Sequence, residues 1–568
     1  VHNHRRRNQR LINIDLMENP NEILLEAAVD YRGQAAVRSK SGYWTSAWFI
    51  IGVEVAERIS FFGIQGNLIS YLTGPLEQTT ATAAKNVNVW SGTASLLPLL
   101  GAFVADSFLG RYRTIVLASL IYILGLGLLT LSAILPSLTI CSPQSQVILF
   151  FTLLYLVAIG QGGHQPCVQA FGADQFDEQH PKEHRDRSSF FNWWFFATAT
   201  GCILTLPILN YIQDNYSWVL GFGIPFLVMI IALIVFLMGT VTYRFNINDN
   251  DKSPFLRIGR VFVAAIRNWQ DTLIYMDIKE ECDGMLPHQR SQQFNFLNKA
   301  LLTPKGSKRE NNCSISEVEE AKAILRLIPI WTTSLVYGIV HAQISTFFTK
   351  QGKSMDITIF PGFDMPLTSL QIINGVSVVL FSPIYDRIFV PITRAITGKP
   401  SGITMLQRIG TGIFISIFTI VIAAFVEIKR LKTVQEYGLV DDPNAIVPMS
   451  IWWLVPQYFL FGVFGVFTMV GLQEFFYDQV PTELRSMGLA LYLSIVGVGS
   501  FLSGFLISLI QILSGKFGNE SWFCDNINKA HFDYFYWLLA GLSVVGFTLF
   551  VCFAKSYTYN HKGSITHA

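Results

Sequence analysis

Two carboxylates and one guanidinium lie within a single apolar segment of the chain, residues 44–72. A helix would place Glu54, Glu57 and Arg58 on one face, close enough to pair, and Gln65 extends that face by two turns. A charged side chain at the centre of a membrane helix costs about 2.5–3.5 kcal/mol, and such groups usually face a polar cavity where they act on an ion or a proton. The pattern therefore predicts a functional polar site. A self-neutralising ion cluster that only locks helix packing is the alternative.

The composition of the whole chain indicates a membrane protein. Of its 568 residues, 51% are hydrophobic and 14% are charged, whereas about 25% of residues are charged in soluble proteins. Only helices and closed barrels satisfy their backbone hydrogen bonds within lipid, so we expect a polytopic helical protein. The seven cysteines lack metal-ligand spacing, no nucleotide-binding loop occurs, and the net charge of +2 gives no sign of nucleic-acid binding. We predict no catalytic residues, no cofactor and no metal site.

Twelve apolar segments have about the 17–25 residues needed to cross a bilayer. A polar linker at 243–320 separates six from six, and its sequence PFLRIGRVFVAAIRNW predicts an amphipathic helix on the membrane surface. We predict an all-α membrane protein with two six-helix bundles, at 44–242 and 321–555, and cytosolic tails at 1–43 and 556–568. The predicted spans are 44–72, 86–107, 113–135, 147–168, 190–212, 217–239, 321–347, 368–390, 403–426, 450–476, 487–513 and 534–554.

The basic residues of the loops predict the orientation. Lysine and arginine are concentrated in the even-numbered loops, which places those loops and both termini in the cytosol. The loop after the ninth span disagrees, because it contains Lys429, Arg430 and Lys432. We follow the majority of the loops.

A charged loop recurs in the two halves of the chain. GAFVADSFLGRYR after the second span contains Asp106 and Arg111, and SPIYDRIFVPITR after the eighth contains Asp386 and Arg387. Repeated six-helix units are a recurring plan of transporters, and the first segment resembles the signature loop of the major facilitator superfamily. We predict that Asp106 and Arg111 form a conformational latch at the cytosolic side. Topology charges beside a turn glycine are the simpler interpretation.

Further motifs resemble one transporter family. The ExxER sequence of the first span and FGADQFD after the fourth are similar to the proton-coupled oligopeptide transporters, and FFNWWFF, QEFFYDQVP and the long linker resemble the plant nitrate/peptide branch. The resemblance extends over about residues 31–557. It implies the major facilitator fold with twelve transmembrane helices and alternating access around a central cavity. It also implies that Glu54, Glu57 and Arg58 couple transport to protons and that Arg58 contacts substrate.

Two positions depart from the pattern of that family. Gln165 stands in the fourth span where many members have a lysine, and Gly465 stands in the tenth where peptide carriers have an acid that holds the amino terminus of the substrate. In the family these two charges can pair, and losing only one would leave a buried charge unpaired. Their joint absence puts peptide binding in doubt. A misalignment by one helical turn is the alternative.

The same resemblance names candidate substrate contacts. His341 falls where nitrate carriers of the family have a histidine that contacts substrate, and an imidazole with an ordinary pKa near 6.5 can hold a small anion when protonated. The guanidinium of Arg58 offers a planar fork for nitrate or carboxylate. We predict that Arg58, Gln165, His341 and Gln343 line the substrate path. A packing histidine beside Gln343 is the alternative interpretation of His341.

These observations predict a transporter that moves a small anion by alternating access and with coupling to protons. Nitrate is the preferred candidate for this anion. Its partners would be protons, the anion and the lipid bilayer. A peptide, a plant hormone or another organic solute is the alternative cargo, while a membrane-embedded acyltransferase and a sensor without transport are alternatives of other classes. We expect the vacuolar or the plasma membrane of a plant cell, and Glu18 with Leu24 and Leu25 resembles a dileucine sorting signal for the vacuolar membrane.

Overall fold

Twelve long helices form the body of the described part of the protein. The computed structural model describes residues 24–78, 80–134, 143–177, 180–246, 254–269, 293–301, 313–356, 358–360, 363–364, 369–398, 402–442, 445–516, 522–523 and 526–557. Eleven helices in these ranges combine spanning length with an apolar composition. The twelfth long helix differs from these eleven because it contains three charged residues, Glu54, Glu57 and Arg58. The helices are α1 (Tyr43–Gln65), α2 (Leu68–Thr73), α3 (Thr80–Val104), α4 (Arg111–Ile134), α5 (Pro143–Ala173), α6 (Pro181–Asn215), α7 (Trp218–Met238), α8 (Pro254–Arg267), α9 (Ile315–His341), α10 (Phe347–Lys353), α11 (Ser369–Ile384), α12 (Val390–Thr397), α13 (Met405–Glu436), α14 (Val455–Asp478), α15 (Arg485–Lys516) and α16 (Phe532–Ser556).

The long helices pack as two groups of six. The first half comprises α1 and α3 to α7, and the second comprises α9, α11 and α13 to α16. The halves meet along two seams: α3 and α5 contact α15 at one, and α6 contacts α11 and α14 at the other. We call the end of the bundle at which α1 begins and α16 ends the inner end, which the sequence predicts to be cytosolic. The opposite end is the outer end.

The first predicted span, 44–72, consists of two helices instead of one. α1 ends before Gly66, and Asn67 has φ −126° and ψ 18°, outside the helical region. A Cβ atom added to Gly66 would lie 2.8 Å from Leu206 of α6. The helix therefore ends at a close contact with α6, where a residue larger than glycine would displace the Leu206 side chain.

The fourth predicted span, 147–168, is longer than its sequence indicates. α5 continues through GQGGHQP to Ala173 with Pro166 inside the helix. A Cβ atom added to Gly101 of α3 would lie 2.4 Å from the carbonyl oxygen of Gly162 and 2.5 Å from the Cα atom of Gly163. Small residues allow two membrane helices to approach backbone to backbone, so this glycine-rich segment is a packing surface.

The basic cluster after the ninth predicted span belongs to a helix rather than to a loop. α13 continues to Glu436, and Arg430 is completely buried. Its Nε atom donates to Glu427 Oε2 at 3.0 Å, Nη1 to Asn528 Oδ1 at 3.1 Å and Nη2 to the carbonyl oxygen of Ile527 at 2.9 Å. Arg430 is therefore a structural ion-pair residue that fastens α13 to the segment before α16, which explains why a basic residue occurs at the outer end.

Replacing Arg430 with Met is expected to destabilise the second half by about 3–5 kcal/mol, because the carboxylate of Glu427 would remain buried without its partner. The measurement is the midpoint of thermal unfolding in detergent. Lys432→Met is the matched control, since Lys432 is exposed on the same helix, and the double variant Glu427→Gln/Arg430→Met should recover part of the loss. Equal midpoints for Arg430→Met and Lys432→Met would contradict this assignment.

Short strands connect segments outside the long helices. At the inner end, β1 (Leu24–Val29) pairs antiparallel with β2 (Ala35–Val37) and with β3 (Phe245–Asn246), which is the first part of the predicted linker. Leu25 is buried against Ala28 and Ala36, so one leucine of the predicted sorting signal is a core residue of this sheet, while Glu18 lies outside the described residues. At the outer end, β4 (Met355–Asp356) pairs with β7 (Val447–Ser450), and β5 (Thr358–Phe360) pairs with β6 (Phe363–Asp364).

Candidate functional site

The three charged residues of α1 form one buried group. Glu54, Glu57 and Arg58 have 1%, 0% and 5% of their surface exposed. Arg58 Nε lies 3.1 Å from Glu54 Oε1, Arg58 Nη2 pairs with Glu57 Oε2, and the guanidinium carbon is 5.5 Å from the centre of the Phe61 ring. We call Glu54, Glu57 and Arg58 the α1 charge group. Its members share one helical face, as their spacing predicts.

The α1 charge group is enclosed mainly by the first half. Thr198 of α6 donates to Glu54 Oε1 at 3.4 Å, and a Cβ atom added to Gly201 of α6 would lie 2.7 Å from Arg58 Cβ. Tyr492 of α15 lies near enough to interact electrostatically with Arg58 and Glu54. The group therefore lies where the first half faces the second.

Further buried polar atoms close to this group lack hydrogen-bond partners. Both ring nitrogens of His164, which is completely buried on α5, and Oε1 of Gln161 have none among the described residues. His164 also lies close enough to Arg58 for an electrostatic interaction. Because buried polar groups normally have a hydrogen-bond partner, these atoms form an unusually polar region in the interior of the first half.

The predicted substrate contacts have different surroundings. Gln343 is completely buried and donates to the carbonyl oxygen of Ile339 at 2.8 Å and to Ser503 Oγ at 3.0 Å, so its amide nitrogen is occupied within the second half. His341, at the end of α9, is half-buried, with its ring centre 5.3 Å from that of Phe461. Gln165 is also half-buried, on α5 next to His164.

Gly465 on α14 faces the first half of the protein. An added Cβ atom there would meet only Phe195 of α6, at 3.7 and 3.9 Å, which is ordinary van der Waals contact. A side chain could therefore be accommodated at this position without displacing backbone. A side chain at position 465 would therefore point between the two halves. The resemblance to peptide carriers predicts an acid at this position.

The loop that contains Asp106 and Arg111 joins the two halves at the inner end. Asp106 lies in a π-helical turn, Ala105–Leu109, and accepts a hydrogen bond from the backbone N–H of Met487 at 2.9 Å. Arg111 Nε lies 3.5 Å from Asp106 Oδ1 and donates to Ser486 Oγ at 3.0 Å, while Nη2 donates to the carbonyl oxygen of Thr482 at 2.5 Å. Because Thr482, Ser486 and Met487 belong to the second half, these two residues hold the halves together.

Asp174 of the FGADQFD motif completes this contact, a role that local sequence patterns did not predict. It pairs with Arg111, accepts from Arg485 Nη1 at 2.9 Å and also accepts from the hydroxyl of Tyr477. Burial opposes ionisation of this carboxyl, but Arg111 and Arg485 outweigh burial and hold the pKa of Asp174 below its ordinary value. The carboxylate therefore remains charged at mildly acidic pH, and the contact persists there. The sequence feature that could have indicated this role is the position of Asp174 within the FGADQFD motif.

The corresponding loop of the second half makes an equivalent contact. Asp386 also lies in a π-helical turn, Tyr385–Phe389, and accepts from Asn192 Nδ2 at 2.8 Å and Ser189 Oγ at 2.5 Å, both on α6. Asn192 Oδ1 in turn accepts from Arg408 at 2.5 Å. Each half thus places one acid of its repeated loop against the other half, and the inner end is joined at both seams.

A cavity of about 660 Å³ lies beside this contact at the inner end. It is lined by Asp106, Arg111 and Asp174 together with residues of the hairpin β1–β2 and the start of the linker. The α1 charge group does not line it, and begins 11 residues into α1, about 16 Å further along the helix at 1.5 Å per residue. The contact made by Asp106 and Arg111 is therefore separate from the α1 charge group.

Comparison with known proteins agrees with this architecture. The sequence model described as the POT family matches residues 112–523. Protein NRT1/PTR FAMILY 5.10 of Arabidopsis thaliana is 62% identical over 541 residues, which cover 94% of this chain and 96% of that protein. Protein NRT1/PTR FAMILY 5.14 of the same plant is 57% identical over 540 residues, with the same shares covered.

Solved structures show the same fold at much lower identity. An auto-inhibited POT family peptide transporter has a TM-score of 0.60 at 21% identity, covering 91% of this chain and 99% of that one. A POT family transporter in complex with 5-aminolevulinic acid has a TM-score of 0.58 at 15% identity, covering 91% and 98%. The predicted family and the predicted major facilitator fold are confirmed. The chain belongs to the POT family and is an integral, multi-pass membrane transporter rather than an enzyme.

Proposed function

We propose that this transporter moves a small anion, nitrate first, together with protons across the plasma or vacuolar membrane of a plant cell. The observation that carries the proposal is the α1 charge group, buried where the two halves face each other, in a chain with Gly465 at the position of the peptide-binding acid. Proton coupling is general in the POT family. The identity of the anion is the specific part of the proposal.

The charges of the α1 group explain how protons and an anion could be coupled. When both carboxylates are ionised, the two negative charges of Glu54 and Glu57 exceed the single positive charge of Arg58, so the group repels an anion. Protonation of both carboxylates leaves the charge of Arg58 unbalanced in a buried site, where an unpaired charge is strongly unfavourable. A planar anion that binds the guanidinium fork restores the balance. Anion binding and proton binding therefore favour each other.

The second half offers no comparable site for the amino terminus of a peptide along α14. Both acids of that helix already have basic partners: Glu474 Oε2 lies 3.7 Å from Arg408, and Asp478 Oδ1 lies 2.6 Å from Arg187. Gly465 leaves that position of α14 without a side chain. Because an ammonium group needs a charged or polar partner inside the protein, these features support an anion over a peptide.

Within this proposal Arg58 is the principal substrate contact, and Gln165 and His341 line the path beside it. Gln343 acts through packing in the state described here, since its amide nitrogen is bonded to Ile339 and Ser503, and it would reach substrate only after the second half rearranges. Asp106 and Arg111 hold the inner end closed and do not contact the cargo.

Nitrate flux into vesicles that contain the purified protein tests the proposal. We expect uptake above that of empty vesicles, with acceleration by an inwardly directed proton gradient and loss of that acceleration when a protonophore collapses the gradient. Chloride and a neutral dipeptide serve as competing solutes, and the dipeptide should leave nitrate flux unchanged. Nitrate flux equal to that of empty vesicles would refute the nitrate assignment, while dipeptide uptake in the same vesicles would replace it with peptide transport.

A larger organic anion is the second candidate. The space at Gly465 beside Phe195, and the aromatic face of Phe61 under Arg58, could accommodate a cargo with an apolar body and one carboxylate. This candidate would be favoured if vesicles take up such a solute but no nitrate, and if other carboxylates inhibit that uptake.

A further inference from the structure

The amphipathic helix α8 presents a second apolar surface that no helix of the described protein covers. One face packs on the protein and includes Ile258, Val261 and Ala265. On the opposite side, the exposed fractions of Leu256, Val263 and Ile266 are 68%, 66% and 68%. An ordinary surface helix exposes polar residues on that side, so this composition requires an apolar environment.

Two arginines border the exposed apolar stripe of α8. At 100° per residue, Ile266, Val263 and Leu256 occupy adjacent directions, and Arg267 and Arg260 follow on one edge. Arg267 is exposed and Arg260 half-exposed, and neither forms an ion pair within the described part of the chain. An apolar stripe with basic residues along its edge fits a membrane surface, with side chains inserted among acyl chains and guanidinium groups at the phosphates.

The position of α8 places that stripe at the level of the membrane surface. Arg257 on the buried face donates to Glu320 Oε2 at 3.2 Å and also pairs with Glu483. Glu320 lies in the second turn of the spanning helix α9, and Glu483 lies immediately before the spanning helix α15. α8 is therefore held beside the inner ends of two membrane helices.

We propose that α8 docks on the inner leaflet through this stripe, that Arg260 and Arg267 bind anionic phospholipid headgroups, and that Arg257 transmits this docking to the latch. The connection is short: Glu483 follows Thr482, whose carbonyl oxygen accepts from Arg111. Anionic lipid thereby stabilises the arrangement in which the inner end is closed. This inference is independent of the identity of the transported solute.

Hydrogen–deuterium exchange of the full chain in lipid nanodiscs tests the proposal. In discs of phosphatidylcholine with phosphatidylglycerol, amides of residues 254–267 should exchange more slowly than in phosphatidylcholine alone, by about five-fold for each arginine engaged. Arg260→Gln/Arg267→Gln should remove this difference, whereas Lys432→Gln at the outer end should retain it. Val263→Ser should reduce protection in both lipids, because it interrupts the apolar stripe.

The peptides around Arg430 of α13 report whether each variant is folded, because this part of α13 lies at the outer end and should exchange equally in both lipids. Equal exchange of α8 in the two lipids would overturn the anionic-lipid assignment. Exchange of α8 that is unaffected by Val263→Ser would overturn docking on the leaflet.

The coupling of α8 to the latch has its own test. Peptides around Ser486 should show the same lipid dependence as α8 in the native chain and should lose it in Arg257→Gln. No lipid dependence of these peptides in the native chain would overturn the coupling to the latch.

Discussion

Replacing Glu57 with Gln is expected to reduce proton-driven nitrate accumulation several-fold while leaving exchange of nitrate across the membrane measurable. Gln keeps the shape of the side chain but cannot bind and release a proton, and Arg58 retains Glu54 as an ion-pair partner at 3.1 Å. The anion can therefore still bind Arg58 when Glu54 is protonated, whereas the contribution of Glu57 to the linkage between proton and anion is lost. The measurement compares accumulation under a proton gradient with counterflow of labelled nitrate in the same vesicles.

The exposed acid Glu436 at the end of α13 provides a matched control for that variant. Glu436→Gln removes the same charge from the chain and should transport as the native protein does. Accumulation by Glu57→Gln that equals native accumulation would show that Glu57 is not a proton-coupling residue. Loss of both accumulation and exchange, together with a lowered unfolding temperature, would instead support the packing interpretation of the α1 charge group.

Replacing Arg111 with Ala is expected to open the inner end and to abolish most net transport. Arg111 contacts Asp106 and Asp174 in the first half and Thr482 and Ser486 in the second, so one substitution removes contacts on both sides of a seam. Asp174 retains Arg485 as a partner, which limits damage to folding. A cysteine introduced at Ser486 should then react faster with a membrane-impermeant thiol reagent applied from the inner side.

Arg113 supplies the control for the latch, because it lies on the same turn of α4, is exposed and forms no ion pair among the described residues. Arg113→Ala should leave both transport and thiol reactivity unchanged. Equal reactivity at position 486 in the Arg111 and Arg113 variants would mean that Arg111 does not hold the inner end closed. Unchanged transport by Arg111→Ala would remove the latch from the transport cycle.

Local sequence patterns predicted the features that depend on neighbouring residues. The spacing of Glu54, Glu57 and Arg58 was sufficient to place them on one face of a helix, because helical periodicity fixes that geometry. Apolar length predicted the twelve spans, and alternation of apolar and basic residues predicted α8. The break at Gly66 was missed, since it depends on the approach of α6 rather than on the composition of the segment.

Contacts between distant parts of the chain were beyond the sequence patterns. Asp174 and Arg485 are 311 positions apart, and no local pattern connects them. Arg430 was interpreted as a loop charge because its partners Asn528 and Ile527 follow almost 100 residues later. Gln343 was placed in the substrate path from its position beside His341, whereas its bond to Ser503 is visible only in the folded protein. The roles proposed for the site residues stay predictions until the variants are measured.

The small sheet at the inner end has a consequence for biosynthesis. β1 leaves the ribosome before α1 to α7, yet its partner β3 is made only after α7. Because domains generally fold as units during synthesis, from the amino terminus onwards, the edge of β1 must wait until the first six helices have been inserted. This sheet can therefore be completed only after all helices of the first half have been synthesised.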